Sequence, residues 1–202
     1  MAPFKAQNMS NNYFVTPGGN EIGRAKAIQA QACGLDPDAD KSPILMKPES
    51  DRNAQIVVQG KVWGKADARS DYEQRTELAK RVRESNERPA NRYEMIVIEG
   101  AGSAAEMNLK NSDLANWSIV ELADAKVVLV LDIDRGGVFA QIICMLDLLV
   151  PHETAGFLGV LIDKYRGDAN LFDDGVRFIE QRTGLPVLGV VPMLRGLNLD
   201  LV

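Results

Sequence analysis

The sequence predicts an α/β fold whose mostly parallel sheet is flanked by helices. Short apolar runs at residues 95–98, 127–131, 157–162 and 187–191 alternate with stretches of helical periodicity, the pattern of repeated strand–helix–strand units. The run at 127–131 is apolar at every position, as expected of a strand buried on both faces inside a parallel sheet. Chemistry-bearing residues fall just beyond these runs: Lys5, Glu99, Asp132 to Arg135 and Asp163 to Asp168. The carboxyl ends of an open parallel sheet form the crevice where ligands bind.

Residues 21–33 form an alanine-rich helical pattern opened by Gly18, Gly19 and Asn20 and closed by Gly34. Residues 55–62, QIVVQGKV, read as an edge strand or hairpin. Residues 71–91 read as a long charged helix, in which Glu77 and Arg81 stand four apart on a wet surface. Further helices are expected at 113–123, 137–149 and 170–183, each with apolar residues near a helical period.

The composition is that of an ordinary globular chain: 202 residues, 46% hydrophobic, net charge −5. It has no basic stripe, which argues against nucleic acid, and no apolar run long enough to cross a bilayer. The N-terminus lacks the basic and apolar regions of a signal peptide. Cys33 and Cys144 have neither a C-x-x-C partner nor a histidine cluster, so both read as reduced packing residues in a cytoplasmic protein. His152, the single histidine, reads as a solvated loop residue, which leaves no material for a histidine triad.

Several segments carry two readings. In DIDRGGVFA, Asp132, Asp134 and Arg135 precede Gly136 and Gly137, whose exposed amides suit an anion; a helix cap with a surface ion pair is the alternative. Glu99 ends a strand and enters a Gly-Ala-Gly turn, which suits either a water-bridged Mg²⁺ ligand or an incidental acid in a tight turn. Glu21 and Arg24 sit in the expected first turns of a helix, with Lys26 close by, where an acid is favourable in its own right. The DKYRGD segment from Asp163 could hold a base or ribose, or pair Lys164 and Arg166 with neighbouring acids.

Taken in order, APFKAQNM, GGNEIGRAKAIQAQ, SPILMKPESD, IEGAGSAAEMNL, DIDRGGVFAQ, DKYRGD and PVLGVVPML closely resemble the cobyric acid synthase family over essentially all 202 residues. That family belongs to a group of P-loop amidoligases with cobyrinic acid a,c-diamide synthase and dethiobiotin synthetase. The resemblance implies a P-loop NTPase-like fold and ATP- and glutamine-dependent amidation of carboxylates on adenosylcobyrinic acid a,c-diamide. Mg²⁺ and ATP are the implied cofactor and co-substrate, a corrinoid the implied substrate, and ammonia would come from a glutaminase domain.

By motif, Glu99 matches the acid of EGAG, expected to be catalytic and to bind metal, and Glu21 of EIGRA is the expected second metal acid. Asp134 and Arg135 are expected catalytic residues; Asp163 and Lys5 are expected to bind the nucleotide; Lys47, Arg24 and Asp132 are expected to bind substrate. At 163 the family usually carries asparagine, and an ionised aspartate cannot donate as an amide does. No G-x-x-x-x-G-K-[ST] phosphate loop and no glutaminase segment occur in the sequence. The expectation is therefore one incomplete synthetase domain over 1–202, lacking the first P-loop strand and helix, with an exposed apolar patch that promotes homo-oligomers. A non-catalytic binding remnant and a related ligase such as cobyrinic acid a,c-diamide synthase are the alternatives.

Overall fold

The computed structural model describes residues 1–50, 53–67, 72–108, 110, 113–194 and 196. These form an α/β fold of mostly parallel sheets flanked by helices, divided into two compact units: residues 1–123 and residues 124–199.

In the first unit, β1 (Ala2–Phe4) pairs in parallel with β8 (Ile96–Ile98), with Phe4 opposite Ile98. β2 (Gln7–Met9) lies parallel to β5 (Ile44–Pro48), which continues antiparallel into β6 (Asn53–Val58) and β7 (Lys61–Asp67). β3 (Tyr13–Val15) and β4 (Glu21–Gly23) form a separate antiparallel pair. The β6–β7 connection is a two-residue hairpin in which Gln59 and Gly60 both take positive φ, 48° and 83°. Such turns match the twist of paired strands, and they realise the hairpin alternative for residues 55–62.

Helix α1 (Arg24–Ala32) begins after β4, and helix α2 (Tyr72–Ala90) occupies the long charged segment, residue 71 lying outside the described residues. The Glu77–Arg81 pair forms at 2.8 Å. The helix is nevertheless not wholly wet: Leu78 and Val82 join Phe4, Ala6, Ile44, Ile56, Val58 and Ile119 in the core. Helix α3 (Trp117–Ala123) starts four residues later than the periodicity predicts, because Asp113 caps it from outside, accepting the N–H groups of Ala115, Asn116 and Ser118.

In the second unit helices separate successive strands: β9 (Val127–Asp132), α4 (Val138–Leu148), α5 (Pro151–Thr154), β10 (Phe157–Tyr165), α6 (Asp173–Thr183) and β11 (Val187–Pro192). Its sheet, ordered β11-β10-β9, is wholly parallel. Leu129, Leu131, Val160 and Ile162 form a core with Val138 and Ile142 of α4 and Ile179 of α6.

Four expectations are corrected. Among the described residues the strands form four separate sheets rather than one, β8 pairing with β1 and β9 to β11 forming a sheet of their own. β9 is not buried on both faces: Leu129 and Leu131 face the core, whereas Val128 and Val130 are exposed, as are Leu158 and Leu188 on the neighbouring strands. His152 lies in α5 rather than a loop, and Cys144, on the outer side of α4, is exposed rather than a packing residue. Among the described residues, no helix is long and apolar enough to cross a membrane.

Candidate functional site

The first unit builds its densest polar cluster at the carboxyl ends of β1 and β8. Parallel pairing with Phe4 opposite Ile98 makes Lys5 and Glu99 the next residues on adjacent strands, and the Glu99 N–H donates to the Phe4 carbonyl at 2.8 Å. Lys5 Nζ donates to Glu99 Oε1 at 2.7 Å. From α1, Lys26 Nζ donates to Glu99 Oε2 at 2.7 Å and to Gln29, whose own amide donates to Glu99 Oε2 at 3.1 Å.

Lys26 is 1% exposed, beside the buried Ala27 and Ala30. Burial pushes its ammonium below the usual lysine range against the opposing pull of Glu99. Burial also raises the Glu99 carboxyl, but hydrogen bonds from Lys26 and Lys5 outweigh it and hold the acid at about 2. Two ammonium groups on one carboxylate leave a local surplus of positive charge. That arrangement suits an arriving anion better than a divalent cation, so the donors around Glu99 do not fit a Mg²⁺ site. Among the described residues, no group of three or more histidine, cysteine, aspartate or glutamate side chains could hold a metal.

Glu21 lies in β4 rather than in the first turn of a helix, and it ion-pairs with Lys47 of β5. Lys47 Nζ also sits 3.7 Å above the centre of the Tyr13 ring, a cation–π contact. Arg24 donates to the Asn12 side chain at 2.8 Å. The two predicted metal acids are thus each engaged by different lysines.

In the second unit, Asp132 and Asp163 are register partners on β9 and β10. Lys164 Nζ donates to Asp132 Oδ2 at 2.6 Å, while Asp132 Oδ1 accepts the Asp134 N–H at 3.0 Å. Arg166 grips Asp134 with Nε and Nη2, the latter at 3.1 Å from Oδ2. These hydrogen bonds hold both aspartates below the usual carboxylate range, Lys164 being the main cause for Asp132 and Arg166 for Asp134. Arg135 is 80% exposed, 3.5 Å from Asp132. Asp163 Oδ1 accepts the N–H of Lys164.

The structure therefore gathers Lys5 with Glu99, Glu21 with Lys47, and Asp132, Asp134, Arg135 and Asp163 around two strand ends. Sequence reasoning passed over Lys26 and Gln29 as site residues. The available signal was a lysine one position before a buried alanine and four before another, on the helix face turned to the core.

Comparison with known proteins agrees with the motif order. A family model described as an AAA domain matches residues 26–199. Cobyric acid synthases of Chlorobium phaeobacteroides (strain BS1), Chlorobaculum tepidum and Vibrio vulnificus (strain YJ016) are 51%, 50% and 48% identical. Each match covers 99% of the chain but only 40%, 40% and 42% of the relative. No solved structure matches. The chain belongs to the AAA domain family and, over nearly its whole length, is similar to a stretch of about 40% of the cobyric acid synthases.

Proposed function

We propose that the chain is the ligase part of an ATP-dependent amidation of peripheral carboxylates on a corrinoid, adenosylcobyrinic acid a,c-diamide. The observation that carries this reading is the Lys5–Glu99–Lys26–Gln29 cluster, which presents two oriented ammonium groups at the carboxyl ends of two parallel strands. In such a ligase a substrate carboxylate oxygen attacks the γ-phosphorus of ATP and ADP leaves. Ammonia then adds to the acyl phosphate, loses a proton and expels phosphate, giving the amide. Positive charge fixed beforehand at the transferring phosphoryl group is the main help a protein can supply.

Lys26 and Lys5 face that group, and Glu99 holds both lysines in place. Lys47, backed by Tyr13 and Glu21, receives a substrate carboxylate, with Arg24 as a further substrate contact in the same unit. In the second unit taken by itself, Asp163 is a nucleotide contact, Asp132 a substrate contact, and Asp134 and Arg135 are catalytic residues. Mg²⁺ arrives with ATP as its counterion, and ammonia comes from a glutaminase. The protein works in the cytoplasm, with self-association through its exposed valine and leucine side chains.

A second reading, corrinoid binding without ATP turnover, is favoured by Asp163. Its carboxylate cannot donate to a base as an amide would. One assay separates the two: the protein is incubated with labelled ATP, Mg²⁺, ammonium chloride and the corrinoid. Corrinoid-dependent release of ADP supports the ligase, whereas saturable corrinoid binding with no ADP release supports the binding chain. Repeating it with cobyrinic acid tests the related a,c-diamide ligase.

A further inference from the structure

Beside the lysine cluster, the first unit holds a cavity of about 420 Å³ whose walls include Met9, Met46, Met107, Leu114 and Trp117. Three of the seven methionines of the chain meet there. Met9 and Met107 are 62% and 50% exposed, so both thioether side chains lining the cavity are open to an incoming ligand. The opposite wall is rigid. Trp117 is buried and its indole N–H donates to the Ala104 carbonyl at 2.8 Å. Asn116 clamps the loop by accepting the Ala101 N–H at 3.0 Å and donating to the Ala101 carbonyl at 2.9 Å. Gln7 donates to the sulfur of Met46, fixing the floor.

We propose that this cavity receives the apolar ring face of the corrinoid and sets specificity for it, an inference that rests on the function proposed above. A fixed tryptophan wall with flexible thioether lips suits a broad, conjugated, puckered ring, because methionine adapts its shape and its sulfur is polarisable. A nucleotide base is flat, small and edged with hydrogen-bonding groups; it would leave much of the cavity unfilled and the methionines exposed. The position also fits. Gln7 lies two residues beyond Lys5 and Ala101 two beyond Glu99, so a ring seated here carries its peripheral carboxylates beside the lysine cluster.

Equilibrium dialysis with cobyrinic acid a,c-diamide, followed by its visible absorbance, tests the assignment. Met9→Gln with Met107→Gln keeps side-chain length but removes the apolar lips, and is expected to weaken binding about tenfold. Ala105→Phe, which fills the cavity from the loop side, is expected to do the same. Met95→Gln, an exposed methionine outside the cavity, should leave affinity unchanged. Binding as tight to both cavity variants as to the parent overturns the cavity assignment while the proposed function stands. A parent protein that binds no corrinoid overturns both.

Discussion

Lys26 Nζ donates to Glu99 Oε2 across 2.7 Å, joining residues 73 positions apart in the chain. The lysine is buried and the glutamate side chain is 42% exposed, so the pair is asymmetric: the cation depends on the anion for its burial. A charge taken out of water without a partner is costly, whereas an exposed carboxylate can fall back on solvent.

Glu99→Gln is therefore expected to destabilise the first unit by about 2 kcal/mol, less than the ~3–5 kcal/mol for a fully buried pair because Glu99 is partly solvated. Lys26→Met should cost much less, since it removes the buried charge and leaves Glu99 with Lys5. Urea unfolding of both variants measures the difference. Equal losses would mean that Lys26 does not rely on Glu99.

The pH dependence has a definite sign. Glu99 titrates at about 2 in the folded chain, against an ordinary value of 4.5. A carboxyl whose folded value is depressed contributes stability above its unfolded value and loses it as pH falls. The contribution is complete above about 4.5 and declines toward 2, where protonation frees Lys26 of its counter-charge. The acid-unfolding profile of the Glu99→Gln variant should be flatter than that of the parent through this window.

Gly100 leaves no room for a side chain, since an added Cβ would stand 2.4 Å from Asn116 Oδ1. Gly100→Ala must push Asn116 off Ala101, at an expected cost of about 1–3 kcal/mol for overpacking and a lost clamp. Combining it with Asn116→Ala removes the clash, so the double variant should be more stable than the sum of the two single changes. Strict additivity in a denaturation cycle would place the strain elsewhere.

Asp134 offers the opposite case. Its pair with Arg166 is solvent-exposed, and water screens pairs of this kind so that they add little to stability. Asp134→Asn is expected to leave the unfolding midpoint nearly unchanged while slowing ADP release in the amidation assay. A fall in stability with unaltered rate would make the residue structural.

Much of the second unit is readable from local pattern. Runs such as 127–131 and 157–162 followed by amphipathic stretches yield β9, α4 and β10 with ends within a few residues, because each element is specified by its own apolar period. The first unit is harder. β2, β3 and β4 are three residues each, too short for a period to build up, and partners such as Met46 for Met9 are supplied by distant strands. The one-sided burial of β9 was equally hidden, because a wholly apolar run has the same composition whether one face or both are covered.

For the candidate site, polar residues at strand ends were visible as types and positions: Lys5, Glu99, Asp132, Asp134. The pairing of Lys164 and Arg166 with neighbouring acids was one of two readings open there, and Lys26 and Gln29 as partners of Glu99 were not visible. The sequence by itself determined the α/β class, since local propensity and apolar period are written in contiguous residues, and its motif order carried the resemblance to cobyric acid synthases. Only the tertiary structure decided that Lys26 is buried against Glu99, that Glu21 belongs to Lys47, and that three methionines share one cavity with Trp117. Each of these joins residues whose separation in sequence carries no signal, and burial and charge pairing act through space rather than along the chain.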